Sequence, residues 1–487
     1  MLRYLYLISF LSLAACVAVG PRYAAPDPSE RQEAFVYADR PIYTANESGD
    51  EAEPIAWWEA YSDPRIAKAV MIARERNLDL RQAAARLEGA RARAGAARAS
   101  LLPQGGTSFA ITRQEQAQAA FAGFAGAGGG DPAAPPPAIE NPEFTLYQAA
   151  AQSSWEIDLF GRLRRQAQGA SARADSAEQL LADTQRLITG QVVDTFILLV
   201  EALNRRRVAI ENLAVQEESL RLTEQLFALG EAGEIDTLRA RSQVKSTAAQ
   251  VLAVETAAAD STAAFALLLG MTVPELLVTF PDLLDENVAP PMPTALGVIA
   301  LREPADVLRR RPDVVAAERT LAAEIYDIGV ETAGLFPQVS LDGTASLVAL
   351  DFAGLSDDNA FGYSFGPNIS WQILSYPALL RQRAAAKAEA SAALAAFEQT
   401  VLTALTETDR ALALHSGAVA QAALLTDAQR AADRARALAE LRYREGADSL
   451  FALVDAQRVA LETEDAAVQA QAAALRTRAA IHRVLAD

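Results

Sequence analysis

A chain of 487 residues has room for two or more ordinary domains or for one very elongated one. Its 44 Lys and Arg face 62 Asp and Glu, a net charge of −18, which removes the basic footprint that nucleic acid binding needs. With two histidines, His415 and His482, and one cysteine, Cys16, the chain lacks material for a Cys/His metal site, a Ser-His-Asp set or a Cys-His pair.

The first element is a leader. MLRYLYLISFLSLAACVAVG has one Arg3, an apolar run and then small residues before Cys16. The run is too short to span a bilayer as a helix but suits a signal peptide, residues 1–15. The residues before Cys16 resemble a bacterial lipobox, which predicts cleavage there and a covalent lipid, N-acyl and S-diacylglycerol, on Cys16. The alternative is an ordinary signal peptide with an incidental cysteine. Val17 stands where an inner-membrane retention signal would want Asp, which points to the outer membrane. Acyl chains contribute about 0.8 kcal/mol per buried methylene, so three of them make a lasting tether. Residues 16–62 then form an acylated N-terminal segment.

From there the chain is a repeat. NLDLRQAAARL (77–87) aligns with RPDVVAAERTL (311–321), and each copy reaches a Leu/Phe-Pro-Gln at the same distance, at Pro103 and at Pro337. The offset is 234. Further on, Trp155 pairs with Trp371 and Gly230 with Gly446, at an offset of 216. The difference of 18 lies between the Pro-Gln and the Trp, where copy one carries AAFAGFAGAGGGDPAAPPPAIENPE, a tract that reads as a long exposed loop. Repeat 1 covers 63–278, a linker 279–304, and repeat 2 305–487.

Each copy reads as helix, strand, strand, long helix, helix. Helices over about 64–101 and 313–335 lead to the junctions at Pro103 and Pro337. Strands are predicted over about 104–115 and 144–155, and over 338–350 and 361–373. FGYSFGPNISW puts Phe361, Tyr363, Phe365, Ile369 and Trp371 on one face and Gly362, Ser364, Gly366, Asn368 and Ser370 on the other. That alternation suits a membrane-spanning strand, although a soluble sheet edge has the same period. Pro367 interrupts it, since proline donates nothing to a ladder. Helical hairpins follow over about 162–270 and 378–486. The runs from Arg162 to Gly230 and from Ala378 to Gly446 contain no proline, and each can extend roughly 100 Å at 1.5 Å per residue. Val192, Phe196, Leu199, Leu203, Ile210, Leu213, Leu220 and Phe227 follow a heptad spacing, which predicts a coiled-coil seam.

Four strands cannot close a barrel, and open edges are not tolerated in lipid. Several chains must therefore share one wall, and three copies would supply twelve strands. The predicted fold class is mainly α with membrane β, a duplicated helix-strand-strand-long helix-helix unit.

Four stretches now carry a resemblance. VLRRRPDVVAAERTLAAE (307–324), GLFPQVSL (334–341), ELRYREGADSLFALVDAQR (440–458) and VGPRYAAP (19–26) resemble the outer-membrane factors of tripartite efflux pumps, the TolC-like proteins, in the NodT-type lipoprotein branch. The likeness covers nearly the whole chain. It implies a homotrimer, a twelve-stranded β-barrel in outer-membrane lipid, and an α-helical barrel through the periplasm. It also implies an equatorial collar, with 279–304 as its non-helical part. The implied partners are a periplasmic adaptor and an inner-membrane pump; no nucleic acid, metal or cofactor is expected beyond the lipid.

The same resemblance places a gate where the long helices turn. Tyr443 matches the family's gating tyrosine, three residues before Gly446, and Asp455 matches the second of two pore-narrowing aspartates. The first falls at Ala452 and the gating arginine at Asp448, so the tether network must differ here. In copy one, Gly230 and Gly233 frame the equivalent turn, with Asp236 and Arg239 beyond it. Under trimer symmetry these acids form a ring, or else they are solvated faces at helix ends. Arg309, Arg310 and Arg311 read as a solvated basic patch, and Asp313 as a partner of the helix dipole. The function expected is a passive exit duct for small molecules, with no catalytic residues. A type I secretion duct and a poreless periplasmic coiled-coil scaffold remain the rivals.

Overall fold

The structure, a computed structural model, describes residues 18–27, 32–45, 56–115, 143–283, 289–295, 297–445 and 447–485. The leader, Cys16, the Gly/Pro/Ala loop and Gly446 lie outside the described residues. The chain divides into two compact units, the first comprising the described parts of Met1–Ala24, Ala90–Ala174 and Thr320–Ala393, the second the remainder.

The first unit is built on a four-stranded antiparallel sheet in the order β2-β3-β5-β6: β2 (Gln104–Glu115), β3 (Glu143–Ile157), β5 (Gln338–Ala349) and β6 (Phe361–Ser370). Throughout it, odd residues pair with odd and even with even, as in Ile111 with Tyr147, Trp155 with Leu341 and Leu341 with Pro367. Because side chains alternate faces along a strand, the register sorts the sheet by parity. The odd face carries Phe109, Ile111, Tyr147, Trp155, Leu341, Leu347, Phe361, Tyr363, Phe365 and Ile369, with Arg113, Glu115 and Glu143 at one end; the even face carries Gln104, Gln148, Gln152, Ser154, Ser340, Thr344, Ser364 and Asn368, with Phe144, Leu146 and Val348 towards that same end. Pro367 is accommodated because β6 is an edge strand, where a missing N–H need not cost a ladder bond.

At each end of this sheet the chain changes from helix to strand by the same device. Trp155 donates its indole N–H to the Leu101 carbonyl at 2.9 Å, and Trp371 donates to Leu335 at 3.2 Å. Each carbonyl lies two residues before the junction proline, at the end of a helix whose last acceptors need partners. Phe160 stacks on Phe336 at 4.6 Å beside them. The tryptophans are thus capping residues. Trp371 has left the strand, which ends at Ser370 rather than near 373, because a short 3-10 turn over Ile373–Ser375 feeds the next helix. Gly161, at φ +82°, is required by space too: a Cβ there would lie 2.5 Å from that of Ala18, whose neighbour Val19 donates to the Phe160 carbonyl.

Among its described residues the second unit is mainly helical, with a parallel pair, β1 (Tyr43–Ala45) with β4 (Ile299–Leu301), and an isolated bridge between Tyr61 and Ala295. In copy one α1 (Pro64–Arg76) and α2 (Leu78–Ala99) precede the sheet, then α3 (Arg162–Ala228) and α4 (Glu234–Leu268) form a hairpin closed by α5 (Val273–Thr279). In copy two α6 (Pro304–Arg310) and α7 (Pro312–Ala333) precede the sheet, and α8 (Tyr376–Arg444) and α9 (Leu450–Leu485) form the hairpin. The core packs Ile66 and Val70 of α1 against Val192, Phe196 and Leu199 of α3 and Phe265 of α4. A second cluster joins Tyr43, Ile299 and Leu308 to Phe397, Leu412 and Ile481.

Two expectations are corrected here. The segment expected as one helix over about 64–101 breaks at one extended residue, Asn77 (φ −60°, ψ 129°); in copy two the helix expected from 313 does start there, α7 beginning at Pro312, and the extended residue Arg311 (φ −65°, ψ 115°) at the equivalent position separates it from α6. Asn77 holds its bend by accepting from the Asp79 and Leu80 N–H groups and donating to the Leu268 carbonyl at 2.9 Å. Nor is Arg311 part of a solvated patch. Arg309 and Arg310 are exposed, but Arg311 is only 2 % exposed and bonds Asp313 at 2.6 Å and Glu407 at 3.0 Å. Burial pushes the Asp313 carboxyl up, yet the Arg311 guanidinium outweighs it and holds the group below its ordinary range.

Candidate functional site at the helix turns

The long helix of copy one ends because Gly230 adopts φ +77°, a left-handed residue for which glycine carries no steric penalty. The Glu231 N–H then reaches back to the Leu226 carbonyl at 2.9 Å, and copy two repeats that bond 216 residues later, from Ala447 to Arg442 at 2.8 Å. At the start of α4 the Gly233 N–H donates to Asp236 Oδ2 at 3.3 Å. At the start of α9 the Ala452 N–H donates to Ser449 Oγ at 3.3 Å. Asp236 therefore caps its own helix, with a negative charge at the positive end of the dipole.

Between the two hairpin ends lies a cavity of about 540 Å³, lined by Gln216, Ser219 and Thr223 of α3, Glu231, Asp236, Arg239 and Gln243 on the copy-one side, and Ser449, Phe451, Asp455 and Arg458 on the copy-two side. Of the residues singled out by sequence, Asp236, Arg239 and Asp455 meet in this one space. Gly230, Gly233, Tyr443 and Asp448 stand at the turns but are not among its lining. Asp448 instead pairs with Arg442 at 3.1 Å, in the position where the family resemblance expected an arginine. Tyr443 is half-buried.

Asp455 pairs with Arg458 at 2.9 Å, and Arg458 also pairs with Glu462 at 2.8 Å. Bonds to both carboxylates raise the Arg458 guanidinium above its ordinary pKa. These are exposed pairs, screened by solvent. They can be exchanged for water cheaply.

The wall of the cavity was not legible from apolar spacing. Gln216, Ser219 and Thr223 are 3–6 % exposed and continue by fours and threes from Val208, so the seam buried within the chain turns polar. Ile210 and Phe227, assigned to the coiled-coil seam, are 42 % and 47 % exposed in the single chain, so no packing within this chain buries these two positions of the eight. Ser219 faces Gln457 Oε1 at 3.5 Å, and Thr223 satisfies its hydroxyl on the Ser219 carbonyl at 2.8 Å. Glu231 and Arg458 were missed as well. The signal for the polar wall was the unbroken helical period itself, read without regard to hydropathy.

The arrangement offers a weakly held polar seam with mixed charge. Known proteins share the architecture around it. The family described as outer membrane efflux protein matches residues 70–271 and 304–487, one segment in each copy of the repeat. The chain belongs to the outer membrane efflux protein family. It is 27 % identical to the pyoverdine export outer membrane protein OpmQ of Pseudomonas aeruginosa, over 97 % of this chain and 95 % of that one. It is equally close to nodulation protein T of Rhizobium leguminosarum bv. trifolii, over 94 % and 91 %. The solved outer-membrane channel OprN superposes with a TM-score of 0.81 at 33 % identity, covering 96 % of this chain and 98 % of that one. This efflux protein is thus an outer-membrane channel component of an efflux system.

Proposed function

We propose that three copies of this chain close a twelve-stranded β-barrel in the outer membrane and continue it with an α-helical barrel in the periplasm. The observation that carries this reading is the parity-sorted sheet with β2 and β6 as its outer strands. A wall that is mainly apolar on one face and mainly polar on the other suits lipid and lumen, and bare edges in lipid require a neighbouring copy. The odd face is the lipid face and the even face lines the duct.

The duct is passive and takes its cargo from an inner-membrane pump through a periplasmic adaptor. Relatives named for pyoverdine, antibiotic and toluene export favour small organic molecules as that cargo. A lipid on Cys16 tethers the N-terminus, and the turns carrying Gly230, Gly233, Asp236, Arg239, Tyr443, Gly446, Asp448 and Asp455 form the periplasmic gate. The gate opens by parting the polar seam, where exposed ion pairs and hydroxyls exchange for water. Mass measurement in native detergent tests the assembly: a trimer is expected, and a monomer would end this reading. Crosslinking from a cysteine placed at Gly446 tests the tip, with an adaptor as the expected catch and random periplasmic proteins as the contrary result.

A further inference from the structure

Among the described strand residues the even face carries two carboxylates, Glu156 and Asp342, and no basic side chain. Glu156 is neutralised by Arg162, whose Nε and Nη2 donate to its two oxygens. Asp342 has no such partner among the described ion pairs. It is held instead by neutral donors: Ser154 Oγ on Oδ1 at 2.5 Å, Ser340 Oγ on Oδ2 at 2.9 Å, and the Asn368 side chain. One donor comes from each of β3, β5 and β6, so the carboxylate is fixed across three strands without losing its charge. A neutral bracket that only stapled the strands would not need an ionised residue at its centre.

We propose that Asp342 is a specificity-determining residue of the duct, a fixed negative charge on the lumenal wall that favours cationic over anionic solutes. The inference rests on the trimeric-barrel reading, which repeats the charge three times around one level. Hydroxyl and amide donors orient a carboxylate without cancelling its field, and rings of like charge select permeant ions by sign. The field reaches about 30 Å at 0.01 M salt and about 3 Å at 1 M, so its influence depends on ionic strength.

The test compares the full-length protein with Asp342→Asn and Asp342→Ser in planar bilayers under a KCl gradient near 0.01 M. Asparagine keeps the shape and part of the bonding; serine removes the acid and its bulk. Both variants are expected to lower the cation-to-anion permeability ratio by about twofold, with the difference vanishing near 1 M salt. A ratio unchanged at low salt in conducting variants would overturn the proposal. A difference that persists undiminished at 1 M would also overturn it, by marking a change of shape. If the unaltered protein forms no conducting unit, the duct reading itself fails and this inference falls with it.

Discussion

Asn77 and Arg311 hold equivalent bends in the two copies with different chemistry, and their removal has different consequences. Asn77→Ala loses the cap of α2 and the bond to the Leu268 carbonyl, an expected loss of about 1–2 kcal/mol. Arg311→Ala leaves Asp313 and Glu407 without their cation; since these are 23 % and 49 % exposed and can partly rehydrate, the expected loss is about 3 kcal/mol, the low end for a broken buried pair. Thermal unfolding in detergent followed by helical circular dichroism should rank Arg311→Ala below Asn77→Ala, and the reverse order would refute the keystone role of Arg311. His415 supplies a pH dependence. It is 5 % exposed, bonded to Thr477 Oγ1 at 3.1 Å, and its pKa is lowered to about 4, chiefly by burial and next by Arg478. The folded state therefore prefers the neutral ring: stability is complete above the unfolded value near 6.5 and declines as pH falls towards 4, by up to roughly 3 kcal/mol. His415→Gln should flatten that part of the melting-temperature profile between pH 7 and 4. An unchanged slope would show that other groups govern the acid response.

At the level of elements, long proline-free runs announced α3 and α8, and the period-two pattern announced the strands, because each is a local property of the chain. The break at Asn77 and the burial of Arg311 were hidden, since Asn77 bonds Leu268, 191 positions away in sequence, and Arg311 bonds Glu407, 96 positions away, and no local pattern reports such contacts. The distal seam of α3 was hidden for a different reason: hydrophobic spacing finds only seams that exclude water. Within the candidate site, Asp236 and Arg239 were found through the turn they follow and Asp455 through the family resemblance, whereas Gln216, Ser219 and Thr223 lacked any mark of composition. Their polarity has a testable purpose. Replacing Gln216, Ser219 and Thr223 by Leu, Ala and Val should strengthen the seam by about 1–2 kcal/mol through apolar burial, raise the melting temperature and reduce channel opening. A triple variant that is more stable yet opens as often as the parent would separate the seam from the gate.

On the scale of the whole molecule, the parity of the sheet sets which substitutions the membrane will accept. Phe365 lies mid-strand on the odd face and is 71 % exposed in the single chain, so Phe365→Arg should cost about 2–4 kcal/mol per copy at mid-bilayer depth. Ser364→Arg, one residue away on the even face, should leave the yield of heat-modifiable trimers in outer-membrane fractions nearly intact. Equal losses from both would remove the assignment of faces. The unpaired flanks of β2 and β6 also bear on inheritance. If three copies form each cylinder as proposed, a cell that makes sound and flank-damaged copies in equal amounts keeps only about one wholly sound cylinder in eight. Lesions on those two strands should accordingly act dominantly over a healthy second gene.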